Sequence, residues 1–282
     1  MEKYRRNERM SVTLKLLSDE PNRLFTLSHF CELFGTAKSS MSEDLDILRK
    51  LVSSFDLGEI ETITGASGGI IYRPRISMTE SLSYIEKLSR SLSGTSRVLP
   101  GGFLYTSDIL ADPIATQKMG RILASAYYDT FPDFVLTMET KGIPVALTTA
   151  HALGVPLVIA RHTSKAYEGS AVNINYVSGS SGSIQTMSLA RRAVQAGQQC
   201  LIVDDFLKGG GTAKGMVDLM KEFDVKVVGS AFVIETEVPA QKRVTNVRSL
   251  MTLAIDDNIE GEEGDLGYAV VRPSKWLKEA GL

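Results

Sequence analysis

The sequence predicts an α/β protein of two domains, a small winged helix-turn-helix domain followed by a larger doubly wound α/β domain. Three observations carry this expectation. At 282 residues the chain is about twice the usual domain length of roughly 150. Up to residue 76 its apolar residues recur at helical spacing and then give way to two short β-like runs. From Leu99 onward, β-branched runs alternate with helical stretches, the pattern of a mostly parallel sheet covered on both faces.

The first helix is marked by Met10, Leu14 and Leu17, the second by Leu24, Leu27, Phe30 and Leu33, and the third by Met41, Leu45, Leu48 and Val52. Thr26 supplies a hydroxyl cap for the second helix. Gly35 separates the second helix from the third. Ser39 or Ser40 is the expected cap of the third helix, and Glu43 and Asp44 suit the positive end of its dipole. Residues 58–64 and 70–76 read as two strands joined by the glycine-rich turn Gly65-Ala66-Ser67-Gly68-Gly69. Three helices and a hairpin make the winged arrangement, in which the third helix enters the major groove. Lys38, Ser39, Ser40 and Ser42 at its start can reach phosphates and base edges. Arg5, Arg6 and Arg9 from the preceding arm and Arg73 and Arg75 on the wing are further candidate contacts. Residues 1–76 hold 11 Lys and Arg against 11 Asp and Glu, so a basic face must come from segregation of charge.

A connecting helix is expected from Met78 to Leu92, broken by Ser93-Gly94-Thr95-Ser96. Beyond it, strands are expected at 134–138, 157–160, 171–176, 200–204 and 226–234, with helices at 114–128, 144–152, 189–196 and 211–223. The domain boundary therefore falls at 76/77, with 77–98 as helix and linker.

Composition narrows the function. Formal charge is −2, with 31 Lys and Arg against 33 Asp and Glu, which excludes a wholesale polybasic binder. A 43% hydrophobic chain can bury a real core. Cys31 and Cys200 are too few and too far apart for a disulfide framework or a cysteine zinc site, which suits a reducing compartment. The charged stretch Met1–Met10 has no apolar run behind it, so no signal peptide is expected. No segment nears the ~18 apolar residues of a membrane span, and a cytoplasmic protein is expected.

The chemistry concentrates in Leu201-Ile202-Val203-Asp204-Asp205-Phe206-Leu207-Lys208-Gly209-Gly210-Gly211-Thr212-Ala213. An apolar strand runs into two aspartates, then three glycines, then a helix start. The glycines let backbone amides converge on an anion, and the helix opening adds its free N–H groups and positive end. Asp204 and Asp205 would repel a phosphate; they suit sugar hydroxyls or a Mg²⁺ offsetting a polyphosphate. A phosphorylated sugar meets both requirements. The segment is not a dinucleotide fingerprint, because the acids directly precede the glycines, and it lacks the Gly-Lys-Ser/Thr end of a nucleotide P-loop.

This segment resembles the phosphoribosyl pyrophosphate (PRPP) motif of type I phosphoribosyltransferases. The resemblance implies a type I phosphoribosyltransferase-like domain over 77–282. It makes Thr140-Lys141-Gly142-Ile143-Pro144 the loop that holds pyrophosphate, with Lys141 neutralising it. Residues 161–186, beginning at Arg161 and including Tyr167-Glu168-Gly169-Ser170 and Tyr176-Val177-Ser178-Gly179-Ser180-Ser181-Gly182-Ser183, look like the hood over the substrate; a solvent-exposed hairpin is the other reading. One departure matters. Hypoxanthine-guanine-type transferases carry an acid three positions after the second acid of the motif, where it helps handle the base proton; here that residue is Lys208. A lysine is a poor proton acceptor near neutral pH, so the pocket favours an anion over base chemistry.

The two domains together, with Leu99-Pro100-Gly101-Gly102-Phe103-Leu104-Tyr105, the 140–144 loop and Asn173-Ile174-Asn175-Tyr176-Val177-Ser178-Gly179-Ser180-Ser181, resemble the purine operon repressor family of Gram-positive bacteria. That resemblance implies a homodimeric repressor of purine synthesis genes on a double-stranded DNA operator, with no catalytic residues and no resident metal. PRPP is then the inducer and guanosine tetraphosphate the competing effector. Tyr105 and Phe206 become candidates to stack on a nucleobase. The alternative is an active purine phosphoribosyltransferase with an added amino-terminal domain.

Overall fold

The computed structural model describes residues 4–65, 68–99, 103–164, 169–178, 182–256 and 267–279. The chain divides into two compact units: Met1–Ser77 with His151–Gly154, and Met78–Ala150 with Val155–Leu282. No helix of the described residues is long and apolar enough to cross a membrane.

The first unit comprises α1 (Arg6–Asp19), α2 (Leu27–Phe34), α3 (Lys38–Ser54) and an antiparallel hairpin of β1 (Glu59–Ile63) and β2 (Gly69–Arg73). Its core is the predicted apolar set: Leu17, Phe30, Met41, Leu45, Leu48 and Val52 pack with Phe25, Phe34, Ile60, Ile70 and Tyr72. Thr26 caps α2, its Oγ1 accepting from the His29 N–H at 3.2 Å. Gly35 ends α2 in the left-handed conformation, and only Thr36 and Ala37 separate it from α3. That tight turn sets the two helices in helix-turn-helix fashion.

Two expectations are corrected here. Ser39 and Ser40 do not cap α3: the helix begins at Lys38, one turn position earlier, with Ala37 at the cap and no side-chain hydrogen bond. Asp44 does more than face a dipole. Its side chain is fully buried and binds two arginines of α1, with Arg9 Nη2 at 2.7 Å from Oδ2 and Arg6 Nε at 3.0 Å from Oδ1. From the other side of α3, Arg49 donates to Ile60 O at 3.1 Å and Thr62 Oγ1 at 2.9 Å, joining the helix to the hairpin. The turn residues 66–67 lie outside the described residues.

The second unit contains α4 (Met78–Leu92), β3 (Val98–Leu99), β4 (Phe103–Leu104), α5 (Ser107–Ala111), α6 (Pro113–Ser125), β5 (Phe134–Met138), α7 (Ile143–Leu153), β6 (Leu157–Ala160), β7 (Ala171–Val177), β8 (Ile184–Ala190), β9 (Gln199–Leu207), α8 (Gly211–Glu222), β10 (Lys226–Thr236), β11 (Val247–Asp256), β12 (Tyr268–Pro273) and α9 (Lys275–Glu279). Six strands form one sheet in the order β12-β11-β10-β9-β5-β6, parallel except for the antiparallel edge strand β12. The chain leaves β5 toward β6 on one side, then returns on its other side through β9, β10 and β11. The strand order therefore reverses at β5 and β9, and the loops after these two strands open a crevice at their carboxyl ends.

α4 packs on β12 and β11 within this unit, with Ile85, Leu88 and Leu92 buried, so the helix expected as a connector is part of the sheet's cover. The helix expected at 189–196 is not formed. β8 runs to Ala190 and pairs with β7 from Ala171↔Ala190 to Val177↔Ile184, and turns follow it. Leu189, Ala190, Ala193 and Val194 mimic helical spacing, but Leu189 and Ala190 are buried in a two-stranded ribbon, paired with Val172 and Ala171 of the preceding strand. The expected hood is this ribbon, and its face carrying Tyr176 and Met187 packs into the core with Met216 and Leu219 of α8. Within its expected range, 165–168 and 179–181 lie outside the described residues, as do Pro100–Gly102. β11 and β12 had no expected counterpart.

Candidate functional site

The two candidate sites lie in different units. In the first, the start of α3 presents exposed Lys38, Ser39 and Ser42 and half-buried Ser40 around N–H groups that no side chain caps. Donors of this kind suit phosphate oxygens. Arg5 is exposed at the cap of α1, where its N–H donates to Glu8 Oε2 at 2.6 Å. Arg6 is partly neutralised, with Nη2 at 2.7 Å from Glu43 Oε2 in addition to Asp44. Arg73 is corrected: it is 8% exposed and its Nη1 lies 3.0 Å from Glu61 Oε1 across the hairpin, so it is not presented as a surface cation. Replacing Lys38 by Ala should weaken DNA binding and flatten its logarithmic salt dependence by about one unit, the signature of one lost phosphate contact. An unchanged slope in a salt titration would remove Lys38 from the interface.

In the second unit the crevice is a cavity of about 980 Å³. Its lining includes Tyr105, Thr140, Lys141, Asp204, Asp205, Phe206, Lys208, Gly209, Gly210, Gly211 and Thr212 from the expected set. Strand β9 delivers the aspartates at its carboxyl end, and α8 begins at Gly211 directly after them. Gly210 stands at the cap with φ 81° and no side-chain cap, leaving the first-turn N–H groups of α8 without partners inside the helix. The loop from β5 to α7 adds Thr140 and the exposed Lys141 to the lining. The Glu139–Thr140 peptide bond in this loop is cis.

Gly142 is buried and does not line the cavity; its part is to make room. A Cβ there would overlap Asp204 Oδ1 and stand 2.8 Å from Thr137 Oγ1. The glycine thus allows the 140–144 loop to pack close against Asp204. Gly142→Ala should therefore displace Asp204 and weaken binding of a phosphorylated sugar by about tenfold or more, read by calorimetry; affinity equal to wild type would contradict the close approach. Arg161 also falls outside the lining. Its Nη1 is 3.5 Å from Glu139 Oε2, while the His162 N–H donates to Glu139 Oε1 at 2.7 Å.

Electrostatics distinguish the two walls. Asp204 is only 8% exposed, and its carboxyl is pushed well above the ordinary range by burial and then by the charge of Asp205. Asp205 is also raised by burial, opposed by its hydrogen bond with Asp204 and by the charge of Lys141. Such a pair gains from hydroxyl donors or a cation that favours its ionised form. The glycine wall offers backbone N–H groups instead. The lining also includes Leu99, Phe103, Tyr105 and Phe206, whose apolar surfaces suit a planar ring. Arg97 lies over the Tyr105 ring, 5.8 Å from its centroid, and is itself held by Asp108 at 2.8 Å.

Sequence reasoning did not single out Glu139, His162, Gln185, Thr106 and Ser107, which also line the cavity. They come from separate loops and strands and form no motif. Tyr176, not expected as an individual site residue, donates its hydroxyl to Gln185 Oε1 at 2.8 Å on the cavity wall. Among the described residues no three His, Cys, Asp or Glu side chains cluster as a metal site.

A family model described as the amino-terminal domain of the bacterial purine repressor matches residues 5–74, and one described as the phosphoribosyl transferase domain matches residues 106–264. The chain is 42% identical over 252 residues to the purine biosynthesis transcriptional repressor PurR of Bacillus subtilis, covering 89% of this chain and 88% of that protein. It is 38% identical over 247 residues to the purine biosynthesis transcriptional activator PurR of Lactococcus lactis, covering 88% of this chain and 91% of that one. Among solved structures, an adenine phosphoribosyltransferase of Saccharomyces cerevisiae superposes with a TM-score of 0.52 at 21% identity, covering 60% of this chain and 99% of that one. This last likeness is one of fold alone.

Proposed function

This chain belongs to the family of bacterial purine repressors, and we propose that it represses purine biosynthesis genes by binding their operators as a homodimer and releases them when PRPP fills its cavity. The observation that carries the reading is the joint placement of Asp204 and Asp205, the glycine-rich start of α8 and Lys141 around one crevice. A ribose fits the carboxylates, its 5′-phosphate fits the N–H groups of α8, and its pyrophosphate fits the Thr140–Gly142 loop. Guanosine tetraphosphate, with two diphosphate groups and a planar base, competes for the same walls and stacks on Tyr105 or Phe206. Mg²⁺ prefers few protein carboxylates and the oxygens of a polyphosphate; Asp204 and Asp205 are the residues that would hold it, together with the ligand.

Regulation follows as linkage. If PRPP binds the DNA-free form better than the DNA-bound form, operator affinity falls by that same ratio at saturation. A ligand indifferent to the two forms regulates nothing. The cavity reading is tested by calorimetry of the full chain: PRPP should bind and guanosine tetraphosphate should displace it, whereas absence of PRPP binding would overturn the assignment.

A second reading, an active purine phosphoribosyltransferase, is favoured by the presence of both phosphate-binding loops in one cavity. Lys208 argues against it, since no acid stands at that position to take a base proton. Incubation with PRPP and each purine base should therefore release pyrophosphate far more slowly than ordinary enzyme rates of roughly 1–10³ s⁻¹. Turnover within that range would establish the transferase.

A further inference from the structure

We propose that Lys242, outside the cavity, is the positioning residue of the phosphate loop, setting Lys208–Gly210 so that its N–H groups face the ligand. This inference rests on the cavity reading above. The connection between β10 and β11 brings Lys242 and Arg243 behind the glycine turn. Lys242 Nζ donates to Lys208 O at 2.7 Å, to Thr236 O at 2.6 Å and to Thr236 Oγ1 at 3.2 Å, so all three ammonium protons meet neutral oxygens. The backbone N–H of Arg243 donates to Gly209 O at 3.2 Å. Gly210 O accepts from the Lys214 N–H at 2.9 Å, the first bond of α8.

Three successive carbonyls of the turn, those of Lys208, Gly209 and Gly210, are therefore each held by a donor. A run of glycines has wide backbone freedom, and an unheld carbonyl could rotate toward an incoming phosphate and repel it. Fixing the carbonyl oxygens fixes the peptide planes, and with them the direction of the N–H groups before the ligand arrives. Neither Lys242 nor Arg243 lines the cavity, so the effect passes through the loop and not through contact with the ligand. Partial burial pushes the Lys242 ammonium down from its ordinary range, with the charge of Glu235 acting in the opposite direction.

The test is calorimetry on the full chain, wild type and Lys242→Met, with PRPP, ribose 5-phosphate and inorganic pyrophosphate as probes and thermal unfolding as the fold control. The expected result is about tenfold weaker binding of PRPP and of ribose 5-phosphate, with pyrophosphate affinity within twofold of wild type. PRPP affinity within twofold of wild type would overturn the brace. So would a parallel loss for all three probes, which marks general charge attraction or misfolding. No binding of any probe by the wild type would overturn the cavity reading, and the brace with it.

Discussion

Asp205→Asn is expected to shift the response to PRPP to about ten- to a hundredfold higher concentration while leaving operator affinity near wild type, producing a repressor that holds DNA at PRPP levels that release the wild type. The substitution keeps size and shape but removes the charge proposed to accept from ribose hydroxyls. Hydrogen bonds to a charged group contribute about 1.5–3 kcal/mol each, so PRPP affinity should fall by about ten- to a hundredfold. Proton linkage gives an independent check. Burial holds both Asp204 and Asp205 above the ordinary carboxylate range. Hydroxyl donors favour the ionised forms, so binding should expel protons, and PRPP affinity should rise as pH climbs from the ordinary aspartate range through the raised values. Calorimetry in buffers of different ionisation enthalpy reads that release directly. Wild-type proton release from the Asp205→Asn protein would dismiss Asp205 as its source.

The second large effect is on the first unit. Asp44→Ala leaves Arg9, whose side chain is only 12% exposed, without the carboxylate that holds it 2.7 Å away. Breaking a buried pair from one side costs about 3–5 kcal/mol, a large share of the stability of a domain this small. The variant should lose DNA binding because α1 no longer fixes α3, and urea unfolding should show the first unit melting separately from the second. Melting indistinguishable from wild type would mean that the Arg6–Asp44–Arg9 cluster is a surface ornament of the helix pair.

What the sequence disclosed depended on whether the determinant was local. The three helices and hairpin of the first unit were legible because Leu17, Phe30, Met41 and Leu45 repeat at helical spacing and Gly35 has to turn. The Asp204–Thr212 segment was legible because strand, acids, glycines and helix start are contiguous. Long-range pairing left no such mark. Leu189–Ala196 read as a helix because the strand that pairs with Leu189 and Ala190 lies at Ala171 and Val172, and the hydrogen bonds between them have no local signature. The partners of Asp44 lie some 35 residues upstream, on a different helix. Arg73 looked like a wing contact because arginine on a hairpin is ordinarily exposed, and its ion pair with Glu61, a diagonal neighbour across the hairpin, appears only once the strands are paired. Glu139, His162 and Gln185 reach the cavity from three separate segments, which no spacing rule could have joined.

The central claim is that occupancy of the cavity by PRPP lowers affinity for DNA. It is tested by fluorescence anisotropy of a labelled duplex from upstream of a purine biosynthesis gene, titrated with the full chain at rising PRPP. The apparent Kd should increase with PRPP and level off once the site is saturated, and ribose 5-phosphate alone should do less. A Kd that stays constant at PRPP concentrations shown by calorimetry to saturate the cavity would contradict the account.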